Sequence, residues 1–442
     1  LAGQRIASRA VVVGAGWAGL TAAIRLQQRG VQVTVLEQAP RPGGRAFSFQ
    51  DTESGVWLDN GQHVLLGLCE AAVALLGESG QETAIRFQRL LSVPVVSSAG
   101  RHWLGSQRWP GPLHLVPAVL RYRALSGRER LGVLKAGLAI AGGSPQNSLA
   151  EDTKTWGEWL AEHGQTRRSR QYFWDAIGRE VMNAPSDEAG AALGLATFSL
   201  LLQRGFSGAR LGFFIRPLSQ VSEQLADYAR ALGVQILLSH GVSRIRVENG
   251  RVVGVLGPKG TWLVDQVVLA VPPDRLAALV SQSGLDGQLA VPAMTFSPIV
   301  NAYLFYDRPV WPEEVALLLD EEPAAMVFNR REILGQGHGA VLAVSISAAD
   351  ALRRHLSADL GGAIARRVAA RLGIPLPTRT RIVWQPHATF RSRPGIEAHR
   401  PEPRTAINGV YLAGDWTRTG WPATLESAVL SGQAAAQEML AL

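Results

Sequence analysis

The chain has 442 residues, more than one ordinary hydrophobic core accommodates, so two interleaved domains are expected. Its apolar fraction of 47% excludes a disordered polymer, and no run approaches the roughly 18–20 uninterrupted apolar residues of a spanning helix. One cysteine, Cys69, excludes an internal disulfide and argues against a metal site, in keeping with the cytoplasm, while a net charge of +8 directs attention to where the basic residues lie.

The chain opens at Leu1 without a methionine, consistent with trimming of a short leader or of the first residues. The segment "RAVVVGAGWAGLTAAIRLQQRGVQVTVLEQ" then predicts a strand over 11–13, a helix after Gly14-x-Gly16-x-x-Gly19, and a second strand over 31–36 that ends at Glu37. Gly14 permits the tight turn, Gly16 lets backbone approach a pyrophosphate, and Gly19 lets the helix press on the strand. Glu37 stands where a carboxylate accepts bonds from ribose hydroxyls, and its charge disfavours a 2′-phosphate. A dinucleotide site is therefore expected. "PRPGGRAFSF" follows, with Gly43 and Gly44 ahead of Arg45, which is placed to reach cofactor phosphates and turns the reading towards FAD. "VWLDNGQHVLLG", residues 56–67, sets Asp59, Asn60, Gln62 and His63 in an apolar run. Polar groups there cost free energy unless something bonds them. Strand alternation would put Asp59, Gly61 and His63 on one face.

Between 101 and 150 seven basic residues (Arg101, Arg108, Arg121, Arg123, Arg128, Arg130, Lys135) meet one acid, Glu129. Such clustering suggests a polyanion, nucleic acid or an anionic membrane, or else an ordinary solvated face. Ser126-x-x-Glu129 reads as a capping box before a helix whose Leu131, Leu134, Leu138 and Ala141 recur at helical spacing. With Trp103 and Trp109 beside it, the region 103–142 suits a helix lying in a membrane interface, or one covering a core. "RQYFWDAIGREVMNA" (170–184) and "LLQRGFSGARLGFF" (201–214) would line a long apolar pocket or form plain core. Near the end, "GVYLAGDWTRTGWPATLESAVLSGQAAAQ" predicts a strand over 410–413 reaching Gly414 and Asp415, a loop, and a small-residue helix from about Thr424. A second strand–glycine–helix unit so far from the first suits an extended flavin, with that helix N-terminus near the electron-rich edge of the ring system.

GAGWAG, Glu37, GGR, LDNGQH and AGDW, in that order, resemble the flavin amine oxidase and phytoene desaturase superfamily over the whole chain, and "GVSRIRVENGRVVGVLGPKGTWLVDQVVLAVPP" (241–273) is similar to its β-meander. The resemblance implies an α/β fold. A Rossmann-like FAD domain would take residues 1–65, 215–285 and 398–442, and a mixed substrate domain 66–214 and 286–397. It also implies backbone at Val242 against the adenine, Gly61 along the ring system, and Thr424 and Leu425 at the flavin. Amine-oxidising relatives carry a lysine near the flavin and an aromatic wall, which here fall at Asn301 and Thr424, so amine oxidation is not expected. "AGDWTRTGWPATLESAVLSG", "HATFRSRPG" (387–395) and "VWLDNGQHVLLG" are most similar to the bacterial hydroxysqualene dehydroxylase group of hopanoid biosynthesis, with Glu426-Ser427 in place of the usual Glu-Gly.

That likeness implies hydride transfer from reduced FAD to an allylic carbon of a long isoprenoid lipid with loss of water, at a cytoplasmic membrane face and without nucleic acid. A carotenoid-type desaturase and a non-enzymatic prenyl-lipid escort of the same fold are the alternatives. His63, oriented by Asp59, is the candidate acid for the departing hydroxyl, with His387 second. No second nucleotide motif identifies the electron donor, because Gly335-x-Gly337-x-Gly339 has the wrong spacing.

Overall fold

Five short strands form a parallel sheet in the order Gln235–Leu237, Gln32–Leu36, Arg9–Val13, Gln266–Leu269, Val410–Leu412. The three central strands are rich in Val and Leu and covered on both faces, as parallel sheets require. The computed structural model describes residues 9–143, 145–319, 323–335, 339–355 and 359–441; Leu1 and Gly337 lie outside them. The helix Trp17–Gln27 lies on this sheet, and the final helix, Leu425–Leu440, lies on that helix. Both contacts depend on missing side chains. A Cβ on Gly19 would sit 2.0 Å from the Gly14 carbonyl oxygen, and one on Gly432 would sit 2.3 Å from that of Ala18. The meander Arg244–Glu248, Arg251–Gly257 and Gly260–Leu263 then returns the chain to the parallel sheet.

A second, seven-stranded sheet runs in the order Arg379–Phe390, Phe296–Tyr306, Ala340–Ser347, Ala325–Asn329, Val315–Leu318, Ser92–Ser97, Gly100–Gly105. It is antiparallel except where Val315–Leu318 runs parallel to Ser92–Ser97. Alternation along its strands gives it two faces. Val300, Ala302, Leu304, Val344 and Ile346 pack beneath the helix Leu360–Leu372, whereas Ile299, Asn301, Ser345 and Ser347 face a cavity.

One expectation is corrected, and two segments that the sequence left open are placed. The stretch 56–67 is two strands rather than one. Trp57–Asp59 pairs with Ser48–Gln50, and Val64–Leu66 pairs with Leu211–Phe214, so residues 60–63 cross between sheets and strict alternation lapses. The aromatic rings of 170–184 are core rather than pocket wall: Trp156 stacks on Trp159 and Phe198 at 5.2 and 5.4 Å and meets Trp174 edge-on. The helix Gly127–Gly142 has its Ser126/Glu129 capping box, but it buries Val133, Ala136 and Ile140, leaving Leu131 and Leu138 exposed.

Glycine packing gives a direct test. Gly19→Ala should destabilise the apoprotein by about 3 kcal/mol or more in urea unfolding, since backbone and not a movable side chain opposes the new Cβ. Gly137→Ala, on the same assay, should stabilise by roughly 0.5–1 kcal/mol, because its Cβ meets nothing and a mid-helix glycine is entropically costly.

Candidate active site

A cavity of about 740 Å³ runs between the two sheets. One end is backbone. Gly14 has φ +106°, and a Cβ there would meet the Ala270 carbonyl at 2.5 Å, so glycine alone makes the turn. Gly16 is the residue before the first helix, no side chain caps that helix, and a Cβ on Gly16 would meet no protein atom within 4 Å. Gly44, at φ +58°, brings the second glycine loop against it. Glu37 is buried with each oxygen fixed by a backbone amide, Ala15 at 2.7 Å and Ala39 at 2.8 Å, which leaves lone pairs for a diol. The amide and carbonyl of Val242, at the cavity edge, make no hydrogen bond among the described residues.

The middle of the cavity joins distant segments. Arg45 Nη2 donates to Asp415 Oδ1 at 2.5 Å, and Nη1 to the Ala388 carbonyl at 3.0 Å. Gly61 lies against Asn301, whose Nδ2 donates to the Asn60 carbonyl at 3.4 Å. Asn301 Oδ1 and Gln62 Oε1 are buried without a partner among the described residues, although both residues line the cavity. Gly414, at φ +148°, leads into the 415–421 loop, and Thr424 caps the final helix by accepting from Ser427 N–H at 3.2 Å. Donor-rich backbone, a fixed acid and unpaired amide oxygens along one cleft fit FAD.

Comparison with known proteins decides the family. The model of "Flavin containing amine oxidoreductase" matches residues 17–440. The chain belongs to that family. This flavoprotein is an FAD-dependent oxidoreductase of the amine oxidase and phytoene desaturase superfamily, which sets aside a non-enzymatic escort. It is 31% identical to the hydroxysqualene dehydroxylase of Rhodopseudomonas palustris, over 97% of this chain and 98% of that one. It is 24% identical to the 15-cis-phytoene desaturase of Glycine max, over 97% of this chain and 79% of the other. The crystal structure of an oxidoreductase from Methanosarcina mazei shares the fold, with a TM-score of 0.75 at 18% identity over 97% and 100% of the two chains.

The flavoprotein places the candidate acids differently from expectation. Asp59 does not line the cavity. Its carboxylate accepts from Ser48 Oγ (2.5 Å), Leu218 N–H (3.2 Å) and Arg330 Nη1 (3.4 Å), and with Arg330 it forms a buried pair that holds strands together instead of orienting a histidine. His63 lines the cavity, but its Nδ1 lies 2.8 Å from the Gly61 carbonyl and so carries the proton. Burial pushes its pKa down, so near neutral pH the ring is uncharged and Nε2 is an acceptor. His387 is exposed, stacks on Phe296 at 4.4 Å and faces Asp274 at 3.7 Å, away from the cavity.

Two sites went unread in the sequence. Arg400, fully buried, organises the 415–421 loop by donating to the carbonyls of Thr417, Asp415 and Trp421 and pairing with Glu397 at 2.6 Å. Nothing in "HRPEPR" marks it as special. Glu180 projects from the helix Asp175–Met182 to the cavity wall and accepts from Ser347 Oγ at 2.8 Å. Nothing in "RQYFWDAIGREVMNA" sets Glu180 apart from Asp175 and its other polar neighbours.

The open space at Gly16 separates binding from folding. Gly16→Val should leave the unfolding free energy of the apoprotein in urea within about 0.5 kcal/mol of the parent, since the new Cβ meets no protein atom within 4 Å. The same variant should purify without FAD, scored by absorbance after desalting, because the side chain fills the approach to the pyrophosphate.

Proposed function

We propose that this flavoprotein removes the hydroxyl of an allylic isoprenoid alcohol reductively, converting hydroxysqualene to squalene. The observation that carries the reading is the course of the cavity. It runs from Gly16 and Glu37, past Asn301, to Leu91, Val93, Leu104, Leu201 and Leu211, so one chamber serves a dinucleotide and a long hydrocarbon. The full-length likeness to a hydroxysqualene dehydroxylase supports the same choice.

Reduced FAD, when bound, supplies the hydride to the allylic carbon. The backbone of Gly16 and Gly44 and the Arg45–Asp415 pair would hold the phosphates, Glu37 a ribose, Val242 the adenine, and Gly61, Thr424 and Leu425 the ring system. The apolar residues at the far end would hold the isoprenoid chain and exclude water, which would otherwise capture an allylic cation. Segments 1–65, 215–285 and 398–442 would serve the cofactor, and 66–214 and 286–397 the lipid.

The lipid would enter from a membrane surface. Of eleven large exposed apolar side chains among the described residues, seven (Trp103, Trp109, Leu113, Leu120, Leu131, Leu138 and Leu149) fall in one stretch of chain. Arg108, Arg121, Arg123, Arg128 and Lys135 lie in the same stretch, exposed and without an ion pair among the described residues. Trp and Leu beside Arg suit an anionic bilayer better than a duplex groove. No helix among the described residues is long and apolar enough to cross a membrane.

Anaerobic mixing of reduced holoenzyme with hydroxysqualene should return the oxidised flavin spectrum and yield squalene, one per FAD. Reduction of oxidised holoenzyme by phytoene, with hydroxysqualene inert, would instead assign a desaturase. Spermine and benzylamine should leave the oxidised spectrum unchanged.

Anionic vesicles should bind the protein with an affinity that falls as salt rises. Changing Arg121, Arg123 and Arg128 to Gln should weaken binding by about 1 kcal/mol for each residue that reaches the surface, with FAD retained. Unchanged co-sedimentation would make this an ordinary solvated face.

A further inference from the structure

We propose that Glu180 is the proton donor to the departing hydroxyl, and that a carboxylic acid at this point selects an oxygen-bearing isoprenoid over a pure hydrocarbon. The proposal rests on the dehydroxylation reading and supplies the acid that His63, held as an acceptor by Gly61, does not.

Position comes first. Ile299 and Asn301 lie on one strand, and Ser347 and Ser345 are their register partners on the next, all four facing the cavity. Ser347 donates to Glu180 Oε2, so the carboxyl stands beside the register partner of Ile299, diagonal to Asn301, against the chamber's sheet wall. The helix that carries it is pinned at both ends. Asp175 accepts from the amide and hydroxyl of Ser186. Asn183, left-handed at φ +49°, donates to the Ser297 carbonyl (3.0 Å) and Thr389 Oγ1 (2.9 Å) and accepts from Ala348 N–H (2.6 Å), binding the helix end to three strands or their ends. A five-residue π-helical turn, Arg170–Trp174, precedes the helix and rephases it.

Chemistry comes second. Glu180 Oε1 is buried without a hydrogen-bond partner among the described residues, while the side chain as a whole lines the cavity. An ionised carboxylate with an unpaired buried oxygen is costly, and protonation removes most of that cost. Burial raises the pKa of Glu180 to about 7, against smaller opposing effects of the Ser347 hydrogen bond and the Arg179 charge. The other titratable groups lining the chamber include neutral His63, the Arg45–Asp415 pair and Glu37, fixed by backbone amides. The acid form is therefore well populated near neutrality. A small turn about its soft terminal torsion presents the O–H to a substrate oxygen.

The step balances. Glu180 gives its proton to the alcohol oxygen, the C–O bond breaks with both electrons leaving on water, and the allylic carbon would take the hydride that reduced flavin supplies when bound. Glu180, left as carboxylate, is reprotonated from solvent before the next turnover. A hydrocarbon substrate has no oxygen to accept this proton, so in a desaturase the same carboxyl would be a desolvation cost without return.

Glu180→Gln keeps the shape and a donor but has no proton to give. With FAD stoichiometry unchanged, it should lower single-turnover reduction of hydroxysqualene by roughly 10²–10⁴-fold, the usual worth of a general acid. The wild-type rate should fall as pH rises through about 7, and that inflection should vanish in the variant. Binding to oxidised enzyme gives a readout independent of turnover: wild type and Glu180→Gln should prefer hydroxysqualene to squalene, and Glu180→Ala should lose the preference. A normal rate and an unchanged inflection in Glu180→Gln would overturn the assignment while leaving dehydroxylation intact. Wild-type enzyme that neither reduces hydroxysqualene nor prefers it to squalene would overturn both.

Discussion

The first and last helices touch through Gly432, and the cofactor cleft depends on that contact. With no Cβ at Gly432, the final helix lies directly on Ala18 and Thr21, which brings its N-terminus and the 414–424 loop to the start of the first helix. Arg45 and Asp415 then close the same seam from above. Two chain ends with no local reason to meet thus become the two ends of one binding site.

The second sheet adds what the parallel sheet lacks. A doubly covered parallel sheet offers a ligand only the crevice beyond its strand ends. The seven-stranded sheet has one free face, and serines and an asparagine on that face put polar atoms at defined points in an apolar chamber. The charged groups sit mainly at the dinucleotide end, where phosphates would balance them. Glu180 is the exception, and its burial, against the smaller pull of the Arg179 charge, is what raises its pKa.

What the sequence revealed, and what it hid, follows from range. The turn at Gly14 and the close contact at Gly19 were legible because each is a backbone constraint expressed within a short stretch of chain. Thr424 and the Ser126 capping box were legible for the same reason. The shared face of Asp59 and His63 was misread because alternation assumes one continuous strand, whereas Trp57–Asp59 pairs with 48–50, Val64–Leu66 pairs with 211–214 in another sheet, and His63 lies in the crossing between them. The exposed stripe of Leu131 and Leu138 was visible as a pattern, but periodicity does not say which of two apolar faces the core takes. Glu180 was invisible because its meaning depends on Ser347, 167 positions away, and on the burial of an oxygen atom.

The parallel sheet has a consequence for biogenesis. Its edge strand Val410–Leu412 is made long after its partner Gln266–Leu269, and the helix Leu425–Leu440 long after the helix Trp17–Gln27 on which it lies. Non-local pairings of this kind are slow to form and leave strand edges open meanwhile. The nascent chain therefore holds an unfinished Rossmann unit, with Gln266–Leu269 as an open edge, until Val410–Leu412 has been made. The cleft lacks its 414–424 loop until that stretch has been made, which sets flavin capture late in the chain's maturation.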